Sequence, residues 1–360
     1  MRFLISKFPM RGLRAARPAL VRLVAAALLA VGLCAGRTLV AAPVPDPGMN
    51  AGDLRRLFEA GQYQRVQTAS QAAVAATPQD AALHYWLARS SYELGSYDMA
   101  VHAAEDACRL NPQNSEFQMW LGRAYGRKAE IESSFFLARK TRRALEAAVK
   151  LDRTNIAARR NLVEYYTEAP WFLGGSKDKA RQQVEAISAL DPLEGMLALA
   201  DLLQNTDQTE DAGKQYELVL ARHPTKVHFY LEALDFYEHQ RDALSMARVL
   251  AGAQAVAPQD PRLLFYRAVS RVVGELQLDL AESELKQFLA VYPGSSDSVT
   301  QAEARDWLGN VYEREGKLQA AVEQYGMAVQ LEPYRKRFRK SLERAQKALK
   351  KQRKQDGKEI

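Results

Sequence analysis

The chain has 360 residues, 47% of them hydrophobic, with two cysteines and a formal net charge of +7. That charge is split: Met1 to Arg37 carries +7, Arg335 to Ile360 carries +9, and the stretch between them carries −9. An acidic body therefore lies between two basic ends, and once the leading stretch with Cys34 is removed, Cys108 stands alone and an internal disulfide is excluded.

Residues 1–42 read as a signal peptide. The first 37 residues hold seven basic and no acidic side chains, and Leu23 to Gly36 is an uncharged, largely apolar run of 14. As a helix that run reaches about 21 Å, short of the roughly 30 Å of a bilayer core, so it fits a secretory apolar region better than a span. Cleavage fits Val40-x-Ala42, although Pro43 follows, or Cys34-x-Gly36; left uncut, the leader becomes an anchor. Leu33 before Cys34 disfavours lipidation. The expected compartment is a bacterial periplasm, with the chain soluble or held at the inner membrane.

A repeat occupies residues 47–333. Its fullest copy is AALHYWLARSSYELGSYDMAVHAAEDACRLNPQN, Ala81 to Asn114. Leu87, Ala88 and Tyr92 lie on its first helix, Gly95 makes the turn, Ala100 and Ala107 lie on the second helix, and Pro112 ends it. Gly95 suits the turn because it takes positive φ without a Cβ clash. The punctuating residue returns as Pro78, Pro112, Arg153, Pro192, Pro224, Pro258, Pro293 and Pro333, which gives eight units at intervals of 32 to 41 residues. Ala100 has counterparts in Ala180, Ala212, Ala281 and Ala321. With almost no alternating strand pattern, these signals predict an all-α solenoid.

On these residues the chain resembles the tetratricopeptide repeat family. The resemblance implies a right-handed superhelix of about eight helix-turn-helix units, whose concave face is lined by the first helix of each unit and holds a peptide or a partner helix. The Lys/Asn pattern by which chaperone-type members clamp a terminal carboxylate is absent.

Carried onto this chain, the concave positions include Tyr85, Arg89 and Tyr92, then Arg123 and Arg127, then Arg160. Later units place Asp235, Glu238, Asp306 and Asn310 there. The expected groove is bipolar, its early half suited to an acidic or C-terminal segment and its late half to a basic one. Insertions at adjacent turns add Phe135 and Phe136 in unit three and Trp171 and Phe172 in unit four. These aromatics should be neighbours, either packed as a satellite core or standing out as a binding knob.

Residues 334–360 form a basic tail. Phe338, Leu342, Ala345 and Leu349 recur at helical spacing, predicting a capping helix with its basic face outward and available to an anionic membrane surface. Phosphate-loop, zinc-ligand and nucleophile-elbow spacings are missing, so no cofactor, metal or catalytic residue is expected. The export signal argues against nucleic acid. The reading is a non-catalytic interaction scaffold of the cell envelope whose partner is a protein or peptide segment. The alternative is a membrane-associated assembly factor tethered by its leader and tail.

Overall fold

The computed structural model describes residues 49–295 and 298–356, where seventeen α-helices and no strand occur. The expected signal peptide lies outside the described residues. The helices pair as hairpins: α1 (Ala51–Glu59) with α2 (Tyr63–Ala76), α3 (Ala81–Glu93) with α4 (Tyr97–Leu110), α5 (Ser115–Glu132) with α6 (Phe135–Leu151), and α7 (Ile156–Glu168) with α8 (Lys177–Leu190). The series continues as α9 (Pro192–Asn205) with α10 (Thr209–Leu220), α11 (His228–Gln240) with α12 (Ala243–Val256), α13 (Arg262–Val273) with α14 (Leu278–Val291), and α15 (Gln301–Arg314) with α16 (Leu318–Leu331). A single helix, α17 (Lys336–Asp356), packs on α16. Eight hairpins and a cap thus stack in chain order as an all-α solenoid.

Short polar connections set the hairpin boundaries. Asp80, Asn114 and Asn155 each accept a backbone N–H of the helix they precede, satisfying donors that a helix start leaves unpaired. Thr300 and Glu303 form a reciprocal capping box on α15. Pro192 keeps its expected place two residues beyond a helix end, as Pro112 does after α4, but no loop follows it. It opens α9, and Asp191 alone joins α8 to α9 while capping the latter, which accounts for the 32-residue interval. Gly95 sits at φ +71°, as its turn requires.

Small residues let the paired helices close. Ala100, Ala180, Ala212, Ala281 and Ala321 are fully buried, and a Cβ on Gly122 would come within 2.7 Å of Leu145. A regular polar contact joins successive hairpins as well. The Tyr125, Tyr166, Tyr237 and Tyr312 hydroxyls donate to Glu105, Glu146, Glu217 and Glu282 of the preceding hairpin. Each carboxylate also meets a cation: Lys140, Arg142, Arg248 and Lys286 respectively.

Most buried apolar side chains fall into two large clusters that meet on α9, and a small third cluster of Ala302, Ala328 and Phe338 lies under the cap. Ala198 and Leu202 belong to the first, which begins at Leu54; Leu197 and Ala200 belong to the second, which ends at Ala345. The eight hairpins also complete one turn. A Cβ on Gly61, between α1 and α2, would lie 2.1 Å from the Pro293 ring, and Tyr63 hydrogen-bonds Ser295. The Tyr334 hydroxyl, just before α17, is 3.1 Å from that of Tyr97 and accepts from Arg127 at 3.0 Å.

The expected lengthening of unit three is taken up by helix rather than loop. α5 and α6 run to 18 and 17 residues, and only Ser133 and Ser134 separate them. On α17, Phe338 and Ala345 are buried against the solenoid as the stripe predicts. Its basic face is not wholly outward: Arg344 bonds Glu313 at 2.8 Å, and Arg337 lies 3.4 Å from Asp306.

Candidate partner-binding site

The first helix of each hairpin lines the inner face, because side chains on these helices meet across an intervening hairpin. Arg160 on α7 reaches Glu232 on α11, and Trp307 on α15 reaches Glu238 on α11. Such reach exists only where the curve brings helices toward one another.

In the early half, aromatic rings surround the cations. The Arg89 guanidinium lies 4.2 Å from the Phe58 ring centre and 4.6 Å from that of Trp120, and its one hydrogen bond runs to the Tyr85 hydroxyl at 3.1 Å. It meets no carboxylate among the described residues. Arg123 lies 4.0 Å from the Trp120 ring centre and 5.4 Å from that of Tyr92. Arg123 is itself buried. The ring quadrupole stabilises a cation at such distances, and at Arg89 it does so without engaging every donor edge of the guanidinium. Tyr85 and Tyr92 are buried, which raises both phenol pKa values, and the Tyr85 hydroxyl donates to Glu116 at 3.1 Å.

Arg127 and Arg160 are engaged within the chain. Arg127 bonds Glu130 at 2.7 Å and Tyr334, with Glu332 at 3.8 Å, so it belongs to the closure of the turn. Arg160 forks onto both oxygens of Glu232 and bonds Asp201 at 2.6 Å. Burial opposes its charge, but Glu232 and Asp201 outweigh that and hold its pKa well above the ordinary value. Glu194 lies 3.8 Å away and is itself bonded by His228 at 2.9 Å.

In the late half the carboxylates are largely neutralised. Glu238 is buried and accepts the Trp307 indole N–H at 3.0 Å; burial, reinforced by Asp235, pushes its pKa up to about 8. Burial likewise raises Glu303 and Asp306 against the pull of Arg337. Asn310 accepts from Arg314 at 3.0 Å. Asp235 remains half-exposed, 3.7 Å from His239. Asp235, Glu238 and His239 bring ligand atoms within 4.8 Å of one another. Their helical spacing alone puts them on one face, and Glu238 already accepts the Trp307 indole N–H.

At the neighbouring turns of the third and fourth hairpins, Phe135 and Phe172 meet edge to face at 5.6 Å, and Trp171 sits edge-on to Phe172 at 5.9 Å. Phe172 therefore packs, while Trp171 projects into solvent. Cys108 is buried, which pushes its thiol up to about 12 and keeps it protonated.

Sequence reasoning missed Asp201, Glu232, Trp307 and Tyr334. Aligning the first helices would have placed the first three on the inner face. Which of them touch depends on curvature, and no single repeat encodes that.

No curated protein matches the sequence. A tetratricopeptide repeat profile matches residues 81–114, the α3–α4 hairpin. Among solved structures, the Cut9–Hcn1 hetero-tetramer of APC/C is similar at 13% identity, covering 81% of this chain and 54% of that one, with a TM-score of 0.45. The chain thus spans about half that protein's length. A tetratricopeptide repeat protein from Parabacteroides merdae is similar at 15% identity, covering 73% and 97%, with a TM-score of 0.46. YrrB, described as a TPR protein with an unusual peptide-binding site, is similar at 15% identity, covering 60% and 89%, with a TM-score of 0.32. The profile identifies the α3–α4 hairpin as a tetratricopeptide repeat, and the other seven hairpins share its helix-turn-helix build.

Proposed function

We propose that this protein is a non-catalytic scaffold of the bacterial cell envelope that captures an acidic or C-terminal segment of a partner protein on the early half of its inner face. The fold is that of a protein–protein interaction scaffold, and the apolar leader of the sequence supports export. The observation that carries the reading is Arg89, an inner-face cation bedded on Phe58 and Trp120 with no carboxylate of its own among the described residues. A carboxylate approaching the free edge of this guanidinium gains a charge-assisted hydrogen bond, and rigid rings spare it the entropy of ordering the site. The late half offers less, since its acids are buried or already paired.

The test is crosslinked pull-down from the native envelope with the intact protein and with the Arg89→Glu/Arg123→Glu double variant. Loss of one specific partner in the variant, at unchanged helicity, supports capture by this face. Arg89→Gln serves as a milder variant should the double reversal disturb folding. An unchanged partner set in both variants would falsify the reading.

A further inference from the structure

We infer that the aromatic tip at the turns of the third and fourth hairpins is a docking surface for an anionic lipid bilayer, a role separate from capture in the groove. Trp171 is 85% exposed and Phe136 67%, with Ile131, Phe135 and Phe172 exposed beside them. Single exposed apolar residues are ordinary, but five on two adjacent turns form a patch of the kind that marks an interaction site.

The tip is rigidly built. Leu173 is buried beneath it and its carbonyl accepts the Tyr165 hydroxyl at 3.0 Å. The Gly175 amide bonds the Pro170 carbonyl at 3.1 Å, and the Ser176 amide bonds that of Tyr166 at 2.8 Å. Gly174, at φ +97°, lies against the Arg142 guanidinium, where a Cβ would come within 1.9 Å. An ordered turn that holds a Trp in water has not simply failed to fold it inward.

Shape and charge select the occupant. Trp171 and Phe136 stand out into solvent, so a protein partner would have to supply a matching pocket, whereas a fluid bilayer moulds around protruding rings. Four exposed cations flank it. Arg139 and Arg143 follow Phe136 at three and seven residues along α6, hence on its face, and Lys177 and Lys179 open α8. None of the four pairs with a carboxylate among the described residues. The acids beside them are occupied: Glu132 lies 3.6 Å from Lys128, and Asp178 lies 3.4 Å from Arg181. Aromatic rings at headgroup depth with cations over anionic headgroups are the two components of interfacial binding. No helix among the described residues is long and apolar enough to cross a membrane, so the contact is peripheral.

Trp171 reports on this contact directly, because Trp86, Trp120 and Trp307 are buried. The full chain is mixed with vesicles of phosphatidylethanolamine and phosphatidylglycerol, with and without brominated acyl chains. The expected result is a blue shift of the emission and quenching by the brominated lipid, both lost in Trp171→Ala. Phe136→Ser and Arg143→Glu should each weaken partitioning on the order of tenfold, and phosphatidylcholine vesicles should bind far less. Exposed positions leave folding intact, which circular dichroism verifies. The proposal is overturned if the chain binds vesicles without bromolipid quenching of Trp171, if it ignores anionic vesicles altogether, or if residue 171 crosslinks to a protein and shows no response to lipid.

Discussion

The second and third hairpins place Arg89 and Arg123 on the inner face over aromatic rings; the sixth and eighth place Glu238, Glu303 and Asp306 on the same face among buried neighbours. The two regions carry opposite charge and resolve it by different chemistry. A ring's negative face lets a guanidinium stay charged in a partly dry site, and Arg89 does so with no carboxylate beside it among the described residues. A carboxylate finds no such support from a ring, so burial raises its pKa until a proton or a cation arrives. Here the cations come from Arg335 and Arg337 at the start of α17, and burial holds the Glu238 carboxyl up at about 8. The early half therefore stays open to an anionic partner, while the late half is closed by its own C-terminus.

Arg160 lies where the halves join, and removing it is the severest test of the comparison. The two large apolar clusters meet only on α9, and Arg160 ties α7 to Asp201 on α9 and Glu232 on α11 across that junction. Replacing it by Met leaves two mostly buried carboxylates facing each other without a cation. The expected loss is about 3 kcal/mol in urea unfolding, with hydrogen exchange rising first in α9 to α11. A uniform, small loss along the chain would mean that the halves are not separate cooperative units.

Closure of the turn sets the second test. Gly61 and Gly95 have nearly equal positive φ, +69° and +71°, but only Gly61 lies against Pro293. Alanine at either should cost about 1 kcal/mol from the left-handed backbone. Gly61→Ala should cost about 1 kcal/mol more through overpacking and enlarge the radius of gyration in solution scattering, because its methyl pushes the ends apart. If the two variants behave alike, the contact with Pro293 contributes nothing. Opening the turn should also quicken exchange of a captured segment without weakening the aromatic bed around Arg89.

The repeat frame was legible because its determinants are local. Asp80 and Asn114 begin helices and Ala100 and its counterparts sit at crossings, each readable within one hairpin. The capping helix was equally clear from Phe338, Leu342 and Ala345. The pairing of Arg160, the contact of Tyr334 with Tyr97 and the inward turn of Arg337 were not, since they depend on curvature summed over many repeats. One missed signal was present in the sequence: Glu105 and Tyr125, Glu146 and Tyr166, and Glu217 and Tyr237 share an offset of 20 residues. A recurrent carboxylate and phenol at fixed spacing is the mark of a contact between repeats.

The smallest expected effect tests the late half alone. The Glu238 carboxyl sits at about 8 against an ordinary 4.5, raised first by burial and then by Asp235, with Arg337 pulling the other way. Between those values the folded chain holds a proton that the unfolded chain has lost, so stability falls as pH rises through this window. Glu238→Gln removes the titration, and its side-chain carbonyl can still accept the Trp307 indole N–H. The variant should match the parent at pH values below the ordinary carboxyl range and exceed it by about 1 kcal/mol at mildly alkaline pH, measured as thermal unfolding across pH. A parent whose stability rises over the same window would show Glu238 ionised, and the late half would then present a true anionic surface to a basic partner.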